Sequence, residues 1–502
     1  MRAHARLLFA LLAAISIAAA TTLADFGNFD SANEGQLWGV RHQISLASSN
    51  GAPGGTTFVN GQLFVADSAA ARVHVYSTTT WAEQSLPLAD WNQTNVVGNP
   101  AFGLTPNELT HGTVIVDGTP TTAIFVSDFS APRALVFTTA GTYLFALHLQ
   151  NPNADAQLDT FPLIDQVAIA PNATFTFNHV AGTLSLQGAF AAGWTNVGRV
   201  NGAALAYRDT AFTPTVDGAF GATPVVLDGT EGSTIGPKSA ETYGLAFDAA
   251  GHLFTIDPLT ERINVYDASN GFSHVFRFGT ATPQDTGTNE FAQPFGLAFW
   301  PDANGGRLLV ADSLNHRVLV YRPNFTTNTL DYVTTIDRLS PAVDAQPLTI
   351  SLDSAAATIA VTDFTVPSVW IMKTADLVTY GTQVLDDQGA PIDTICAGAT
   401  YKVRFNITVP SLHPAASDVA PTLAINGVQQ MGAVAEGVYP STPLQAGQVA
   451  TYTYTLTMDN TAFGTVPFMA GATSSSTTDV LTTVGALSVS DCPANRSRST
   501  HP

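Results

Sequence analysis

The chain contains little positive charge. Only 19 of its 502 residues are Lys or Arg, against 39 Asp or Glu, which gives a formal charge of −20. Nucleic acids and anionic membranes bind clustered Lys and Arg, so neither is an expected partner. Cysteine is equally scarce, with Cys396 and Cys492 alone. In an oxidising compartment this pair predicts one disulfide that staples the C-terminal region, and two free thiols are the alternative.

Long apolar runs are missing except at the N-terminus. There, Arg2 and Arg6 precede an apolar stretch from Leu7 to about Ala20, followed by small residues that suit a signal peptidase. We predict a signal peptide over residues 1–24, a secreted protein and no membrane span in the mature chain; an uncleaved anchor is the alternative. Removal of the two arginines changes the formal charge from −20 to −22.

Helix-favouring composition is also missing. Charged residues make up 12% of the chain, whereas Gly, Thr, Ala and Val are abundant, which favours short strands and tight turns. The expected fold class is therefore all-β. A chain of 502 residues exceeds what one hydrophobic core usually organises, so two domains are expected.

One pattern recurs along the chain: an apolar strand ending in Asp, a turn of four residues, an Arg, and a second alternating strand. GQLFVADSAAARVHVY, from Gly61, and GRLLVADSLNHRVLVY, from Gly306, are two copies. The Asp and Arg stand five positions apart in four copies, at Asp67 and Arg72, Asp128 and Arg133, Asp257 and Arg262, and Asp312 and Arg317. A fifth copy keeps Asp363 but has Ser368 in place of the Arg.

The alternation in each copy predicts a half-buried hairpin that cannot stand alone. The Asp carboxylate at the turn can accept backbone N–H bonds and orient the Arg in a charge-assisted clasp. We interpret the repeated acids as structural, because scaffolding needs the same contact in every unit and a ligand site does not.

Further strands complete each unit. A Gly-Leu-Ala-Phe strand precedes the Asp257 and Asp312 copies, and a fourth strand follows each hairpin. Four antiparallel strands make the blade of a β-propeller. These residues, above all VADSLNHRVLVY from Val310, resemble the NHL repeat family, and the resemblance covers about residues 36–385. It implies an NHL-type β-propeller.

The repeat spacing predicts six blades. The Asp positions lie 61, 129, 55 and 51 residues apart, so the long interval holds a blade without the signature, which we place at Ile164–Phe190. The strand within residues 36–47 is expected to pair with the last blade near residues 370–384 and remove an exposed sheet edge. Five or seven blades are alternatives, because residues 193–237 are hard to parse.

A different rhythm follows the propeller. Alternating strands with Thr and Tyr on one face appear at residues 400–409, 422–428, 448–458 and 485–492. They resemble an immunoglobulin-like sandwich without its inter-sheet Trp. The predicted organisation is a propeller over residues 25–385, a β-sandwich over 386–495 and a disordered tail over 496–502.

No catalytic constellation is evident in the sequence. Some NHL propellers are peptidyl-hydroxyglycine amidating lyases with a zinc near the axis, and gluconolactonase-type lactonases hold a divalent ion with carboxylates and Asn. These resemblances make a divalent ion in the central channel the alternative to having no cofactor. The ligand candidates are His111, His179, Asp165, Glu241 and Glu290.

The expected function is binding. An exported propeller with an accessory sandwich is typical of a scaffold that presents loops to an extracellular protein or glycan, although propellers host many activities. The alternative is a metal-dependent lyase or lactonase acting at the propeller axis. Five N-glycosylation sequons also occur, at Asn92, Asn172, Asn324, Asn406 and Asn495.

Overall fold

A computed structural model describes most of the chain between residues 38 and 490. The described residues are 38–46, 52–84, 105–149, 162–196, 203–215, 218–227, 242–279, 287–302, 305–336, 345–363, 365–374, 377–392, 394–409, 416, 418–425, 428–430, 434–436, 444, 448–458, 464–474, 480–481 and 483–490. The predicted signal peptide, the predicted tail, Glu241 and Cys492 lie outside them. Within the described residues no α-helix occurs, and no helix is long and apolar enough to cross a membrane. The all-β prediction is confirmed.

The first compact unit spans Trp38–Lys373. Its strands, in chain order, are β1 Trp38–Ser45, β2 Pro53–Val59, β3 Gln62–Asp67, β4 Arg72–Ser77, β5 Pro106–Val116, β6 Thr119–Asp128, β7 Arg133–Thr138, β8 Tyr143–His148, β9 Pro162–Ile169, β10 Thr174–Asn178, β11 Thr183–Asn196, β12 Ala203–Pro214, β13 Phe220–Gly221, β14 Val225–Leu227, β15 Gly244–Phe247, β16 His252–Asp257, β17 Arg262–Asp267, β18 Ser273–Phe278, β19 Pro294–Trp300, β20 Arg307–Asp312, β21 Arg317–Asn324, β22 Thr329–Ile336, β23 Pro347–Asp353, β24 Thr358–Asp363 and β25 Ser368–Thr374. Two 3₁₀ turns lie at Ala268–Asn270 and Ser313–Asn315.

These strands form six blades arranged in a ring. The blades are β2-β3-β4, β5-β6-β7-β8, β9-β11-β12-β14, β15-β16-β17-β18, β19-β20-β21-β22 and β23-β24-β25-β1. The inner strand of each blade contacts the inner strand of the next, in the order β2, β5, β9, β15, β19, β23 and back to β2. This unit is a six-bladed β-propeller.

The N-terminal strand closes the ring. β1 pairs with β25 and becomes the outer strand of the last blade, although more than 300 residues separate them in sequence. The predicted closing contact of residues 36–47 with the last blade is thereby confirmed. β1 thereby covers the edge of β25 and becomes the outer edge of the last blade itself.

The second and third blades are joined, which the repeat spacing does not predict. β10 pairs with β5 in parallel, and β13 pairs with β8 in parallel. The hydrogen-bonded order β5-β6-β7-β8-β13-β12-β11-β10 therefore returns to β5 and makes a closed sheet of eight strands. Aromatic residues fill its core, among them Phe125, Phe145, Phe175 and Phe190.

This joined region corrects our placement of the third blade at Ile164–Phe190. The blade needs β12 and β14 as well, so it continues to Leu227, and β10 serves the closed sheet instead. The 14-residue β11 explains the difference, because its first half pairs with β10 and its second half with β9.

The second compact unit includes the chain after Thr374. Its strands are β26 Leu377–Leu385, β27 Thr394–Cys396, β28 Thr400–Thr408, β29 Ala420–Ile425, β30 Val428–Gln429, β31 Val434–Glu436, β32 Val449–Thr457, β33 Gly464–Thr473, β34 Val480–Leu481 and β35 Thr483–Ser490. They form the sheets β31-β32-β28-β26-β34 and β27-β35-β33-β29-β30. Val403, Phe405, Leu423 and Ala470 come from both sheets and share one core.

The boundary between the units falls earlier than our prediction of residue 385. β26 pairs with β28 of the second unit, so residues 377–385 belong there and not to the last blade. The predicted disulfide stays a prediction, because Cys492 lies outside the described residues. Cys396 pairs in register with Ser490, two positions before Cys492.

Candidate functional site

The inner strands of the propeller begin alike. Proline starts β2, β5, β9, β19 and β23. In β2, β5, β19 and β23 the pairing with the second strand shifts between this proline and the residue three positions later. Such a bulge turns the intervening residues out of the regular ladder. In β5, β19 and β23 the two residues after the proline lie at the axis of the ring, whereas β9 contributes the third and fourth residues after its proline.

A small cavity lies where these residues meet. It has a volume of about 30 Å³ and lies on the ring axis, because β5, β9, β19, β23 and the residue before β15 all contribute to it. Its lining residues are Asn107, Glu108, Asp165, Gln166, Tyr243, Phe295, Gly296, Leu348 and Thr349. A water molecule needs roughly 10–15 Å³ of such space, so the cavity, as the described residues line it, has room for one or two waters.

Glu108 is one of two buried acids that line this cavity. Its side chain is 4% exposed, and burial raises the pKa of its carboxyl group well above the usual value. A neutral carboxyl group can donate a hydrogen bond as well as accept one. Gly55 of the neighbouring blade leaves room for it, because a Cβ at Gly55 would overlap the Glu108 carboxyl group.

Asp165 contributes the second acid. It is 2% exposed, and its backbone carbonyl accepts bonds from Asn107 Nδ2 at 2.9 Å and from Ser127 Oγ at 3.2 Å. Ser127 Oγ also accepts the backbone N–H of Glu108 at 2.8 Å. Ser127 thus links the strands that carry both acids.

Polar and aromatic contacts complete the wall. Gln166 Oε1 accepts the backbone N–H of Leu245 from the next blade. Thr349 Oγ1 donates to the carbonyl of Gly54 at 3.3 Å, across the ring closure. Tyr243 and Phe295 meet edge to face, with ring centroids 5.1 Å apart. These contacts tie each blade to the next around the cavity.

The repeated acids lie elsewhere, in the turns. Asp128 Oδ2 accepts Arg133 Nε at 2.8 Å, and Asp312 Oδ2 accepts Arg317 Nε at 2.7 Å, so the predicted clasp is present in these two copies. The Asp Oδ1 also accepts a backbone N–H just before the inner strand of its own blade, in the pairs Ala52 to Asp67, Thr105 to Asp128, Ala292 to Asp312 and Gln346 to Asp363.

Two copies use another donor at the position seven residues after the Asp. Asp67 Oδ2 lies 3.2 Å from His74 Nε2, and Asp363 Oδ2 accepts Trp370 Nε1 at 3.0 Å. In the copy with Ser368 in place of the Arg, the indole of Trp370 is therefore the donor to the Asp. In the remaining copy, Asp257 Oδ1 accepts the N–H groups of Leu259 and Thr260.

The predicted metal candidates do not come together. Asp165 alone lines the axial cavity. His111 lies further along β5 and contacts Thr57 Oγ1 at 2.8 Å, whereas His179 lies in the β10–β11 turn and pairs with Asp117 at 2.8 Å. Glu290 accepts the N–H of Gly287, close to the bond between Arg317 and Asp312. Glu241 lies outside the described residues. In the described part of the chain, no group of three His, Cys, Asp or Glu side chains is placed to hold a metal.

Sequence reasoning missed Asn107 and Glu108 as axial residues. The available signal was their position directly after Pro106, which matches Phe295-Gly296 after Pro294 and Leu348-Thr349 after Pro347. Aligning the copies on this proline, rather than on the Asp of the turn, would have found them.

Comparison with known proteins adds distant likenesses of fold. No family model matches the sequence, and no curated protein matches it. A luciferin-regenerating enzyme structure matches at 13% identity and TM-score 0.40, over 66% of this chain and 94% of that one. Virginiamycin B lyase from Staphylococcus aureus matches at 12% identity and 0.37, over 67% and 99%. Regucalcin, a calcium-binding protein from Agrobacterium tumefaciens, matches at 14% identity and 0.38, over 62% and 81%. At these scores they identify neither a family nor an activity.

Proposed function

We propose that the chain is a secreted, NHL-type propeller that binds an extracellular protein or glycan through one end of the ring, followed by an immunoglobulin-like sandwich stapled by Cys396 and Cys492. The observation that carries this is the axial cavity of about 30 Å³. Among the described residues this cavity has room for water and no larger ligand, so we expect a macromolecular partner to contact the surface around the axis.

We expect the connections between the blades to contribute to that surface, because of where the chain joins them to the ring. Each enters the ring at the N-terminal end of an inner strand, which is the end that carries the cavity. The connections over residues 85–105, 149–161, 228–243, 279–293 and 337–346 contain ten acidic residues and two basic ones. An acidic end attracts a partner with a basic face and speeds the encounter at low salt.

A binding experiment with matched variants tests this proposal. The immobilised probes are a chitosan oligomer, as a cationic glycan, and a lysine-rich peptide. One variant neutralises Asp155, Asp159, Asp228 and Glu231, and the control neutralises the exposed acids Asp117, Asp209, Asp331 and Asp387, which lie outside these connections. We expect the first variant to lose at least tenfold in affinity for one probe and the control to lose less than twofold. Equal losses, or no binding to either probe, would contradict the proposal.

A second candidate function follows from the cavity wall. Glu108, Asp165 and Asn107 offer oxygen ligands on the axis, which suits a divalent ion and a lyase or lactonase reaction. The residues fit only partly, because they supply two carboxyl groups and burial raises the pKa of one of these, Glu108, which disfavours its charged form. Metal analysis of the purified protein separates the two functions: one equivalent of calcium or zinc, lost in Glu108→Gln together with a lactonase activity, supports this candidate.

A further inference from the structure

Three of the five sequons lie in described residues, and their surroundings differ. Asn172 occupies the turn between β9 and β10, in the sequence Ala-Pro-Asn-Ala, and the N–H of Ala173 closes this turn on the carbonyl of Ala170 at 2.8 Å. Pro171 and Asn172 are the two central residues of the turn and are exposed. The Asn172 amide makes no hydrogen bond in the structure, so its nitrogen is available for modification.

The other two amides are engaged. Asn324 Nδ2 donates to Asp331 Oδ2 at 2.9 Å, and its Oδ1 accepts the N–H groups of Thr326 and Thr327. Asn406 lies in the middle of β28, between β26 and β32, and its Oδ1 accepts Thr451 Oγ1 at 2.8 Å. A sugar on Asn324 would crowd the Nδ2 that donates to Asp331, and a sugar on Asn406 would start from a half-buried position within a strand.

A groove of about 150 Å³ runs beside Asn172, between the third and fourth blades. This is far below the roughly 300–1,000 Å³ of sites for drug-sized ligands and is on the scale of a single sugar ring. Its floor is made of small residues, namely Ala170, Ala173, Gly188, Ala189, Ala249, Ala250, Gly251 and Ala268. Asn172 itself lines the groove.

The polar groups of the groove suit a neutral ligand. Arg208 donates from Nε to Asp209 Oδ2 at 3.0 Å and from Nη1 to the carbonyl of Ala268, which fixes the guanidinium across the two blades. Asp209 balances its charge, so the groove attracts no anion, whereas the remaining guanidinium N–H groups can donate to hydroxyl or acetamide oxygens.

We propose that Asn172 is the N-glycosylation site of the described chain in an N-glycosylating secretory pathway, and that the first N-acetylglucosamine covers this groove. Asn172 follows the C-terminal end of β9, whereas Asp165 lies near its N-terminal end, so the glycan leaves the axial cavity uncovered. The proposal shares secretion with the proposed function and is independent of the ligand.

Site occupancy tests the proposal. The chain from residue 25 is secreted by a eukaryotic host behind the host's own leader, so a failure of the natural leader does not affect the result. Peptides are then deglycosylated enzymatically in ¹⁸O-water and measured by mass spectrometry. We expect most molecules to carry a glycan at Asn172, with occupancy at Asn324 and Asn406 at least tenfold lower. A bare Asn172, or equal occupancy at the three sites, would overturn the proposal.

Hydrogen exchange tests whether the first sugar lies in the groove. The glycan is trimmed to one N-acetylglucosamine, and amide exchange at residues 249–251 is compared with that of Asn172→Gln secreted from the same host. Slower exchange by at least threefold in the glycosylated protein supports occupation of the groove. Equal rates, with Asn172 fully occupied, would show that the sugar points away into solvent.

Discussion

The fourth and fifth blades differ from the second and third in how far their strands extend. In the fourth and fifth blades, every strand ends within the blade, and each sheet has four antiparallel strands. In the second and third, β5, β6, β11 and β12 run for 10 to 14 residues and continue past the blade into the closed sheet. Short strands thus build independent blades, whereas the long strands of the second blade and of the third blade, which lacks the repeat signature, build a shared closed sheet.

The difference lies in what each region uses as its core. The fourth and fifth blades share a core of mixed residues, including Phe254, Leu308 and Val310. The closed sheet instead encloses a set of rings, in which Phe175 lies 5.1 Å from Phe125 and 5.7 Å from Phe190 between centroids. Aromatic pairs of this kind contribute about 0.5–1.5 kcal/mol each beyond their buried area. We therefore expect the second and third blades to unfold as one cooperative unit.

Removal of a ring from the closed sheet is the largest expected effect. Phe175 is fully buried, so Phe175→Ala should destabilise the protein by about 4 kcal/mol through lost transfer energy and a cavity. Hydrogen exchange should accelerate throughout β5–β14. Phe254→Ala is the matched control, since Phe254 is equally buried, and its effect should stay within the fourth and fifth blades. Phe175→Leu replaces the alanine variant if that variant does not fold. Faster hydrogen exchange confined to β10 would contradict a single cooperative unit formed by the second and third blades.

The Asp of the turn should matter equally in both regions. Asp312→Ala removes the acceptor of Ala292 N–H, Asn315 Nδ2 and Arg317 Nε, which should cost about 3 kcal/mol. Asp128→Ala should cost the same within about 1 kcal/mol, because Asp128 likewise accepts an Arg Nε, a backbone N–H before its inner strand and a side chain of its turn. Urea denaturation measures both. Asp331→Ala, at an exposed acid of the fifth blade, is the control. If Asp312→Ala and Asp128→Ala lower the free energy of unfolding no more than this control does, the turns do not depend on the acid.

A smaller effect is expected where Trp370 replaces the Arg. Trp370→Phe keeps an aromatic ring but removes the donor to the buried Asp363 carboxylate, so it should cost about 2 kcal/mol. Trp38→Phe changes the same volume at a similarly buried site whose indole nitrogen has no hydrogen-bond partner among the described residues. The difference between the two variants in thermal denaturation isolates the hydrogen bond. Equal destabilisation would mean that Trp370 acts through packing alone.

The smallest effect concerns Glu108 and pH. Burial raises the pKa of this carboxyl group in the folded protein above its unfolded value near 4.5. The folded state therefore holds the proton more tightly, and its contribution to stability is complete below pH 4.5 and is lost as pH rises through the raised pKa. Glu108→Gln should flatten this dependence and be more stable by about 1 kcal/mol at pH 8. Glu290→Gln is the control variant. If Glu108→Gln has the same dependence of stability on pH as the unchanged protein, Glu108 is not buried as described.

The sequence predicts the regular part of this architecture because the repeat is local. Asp, turn and Arg lie within six residues, so the hairpins of the fourth and fifth blades follow from alternation alone. The closing contact of β1 with the last blade was also predictable, since a ring needs its final strand. The joined blades were not, because β5 and β10 pair across about 60 residues with no turn signal between them.

The candidate site was predictable only in part for a related reason. Asp165 was found because an acid stands out before an apolar strand. Glu108 and Asn107 were missed because their axial position depends on the bulge after Pro106, which sequence spacing does not reveal. The histidines were misleading as ligand candidates, since residue type alone does not place His111 and His179 on one face.

The central claim is that six blades form a ring held shut by β1. Hydrogen exchange of residues 368–374 tests it most directly, in a chain that starts at residue 47 compared with one that starts at residue 37. Without β1, β25 becomes an edge strand, so we predict that amides bonded to β1 lose protection by at least a hundredfold while those bonded to β24 are affected less. Unchanged protection of β25 in the shorter chain would contradict the closed ring.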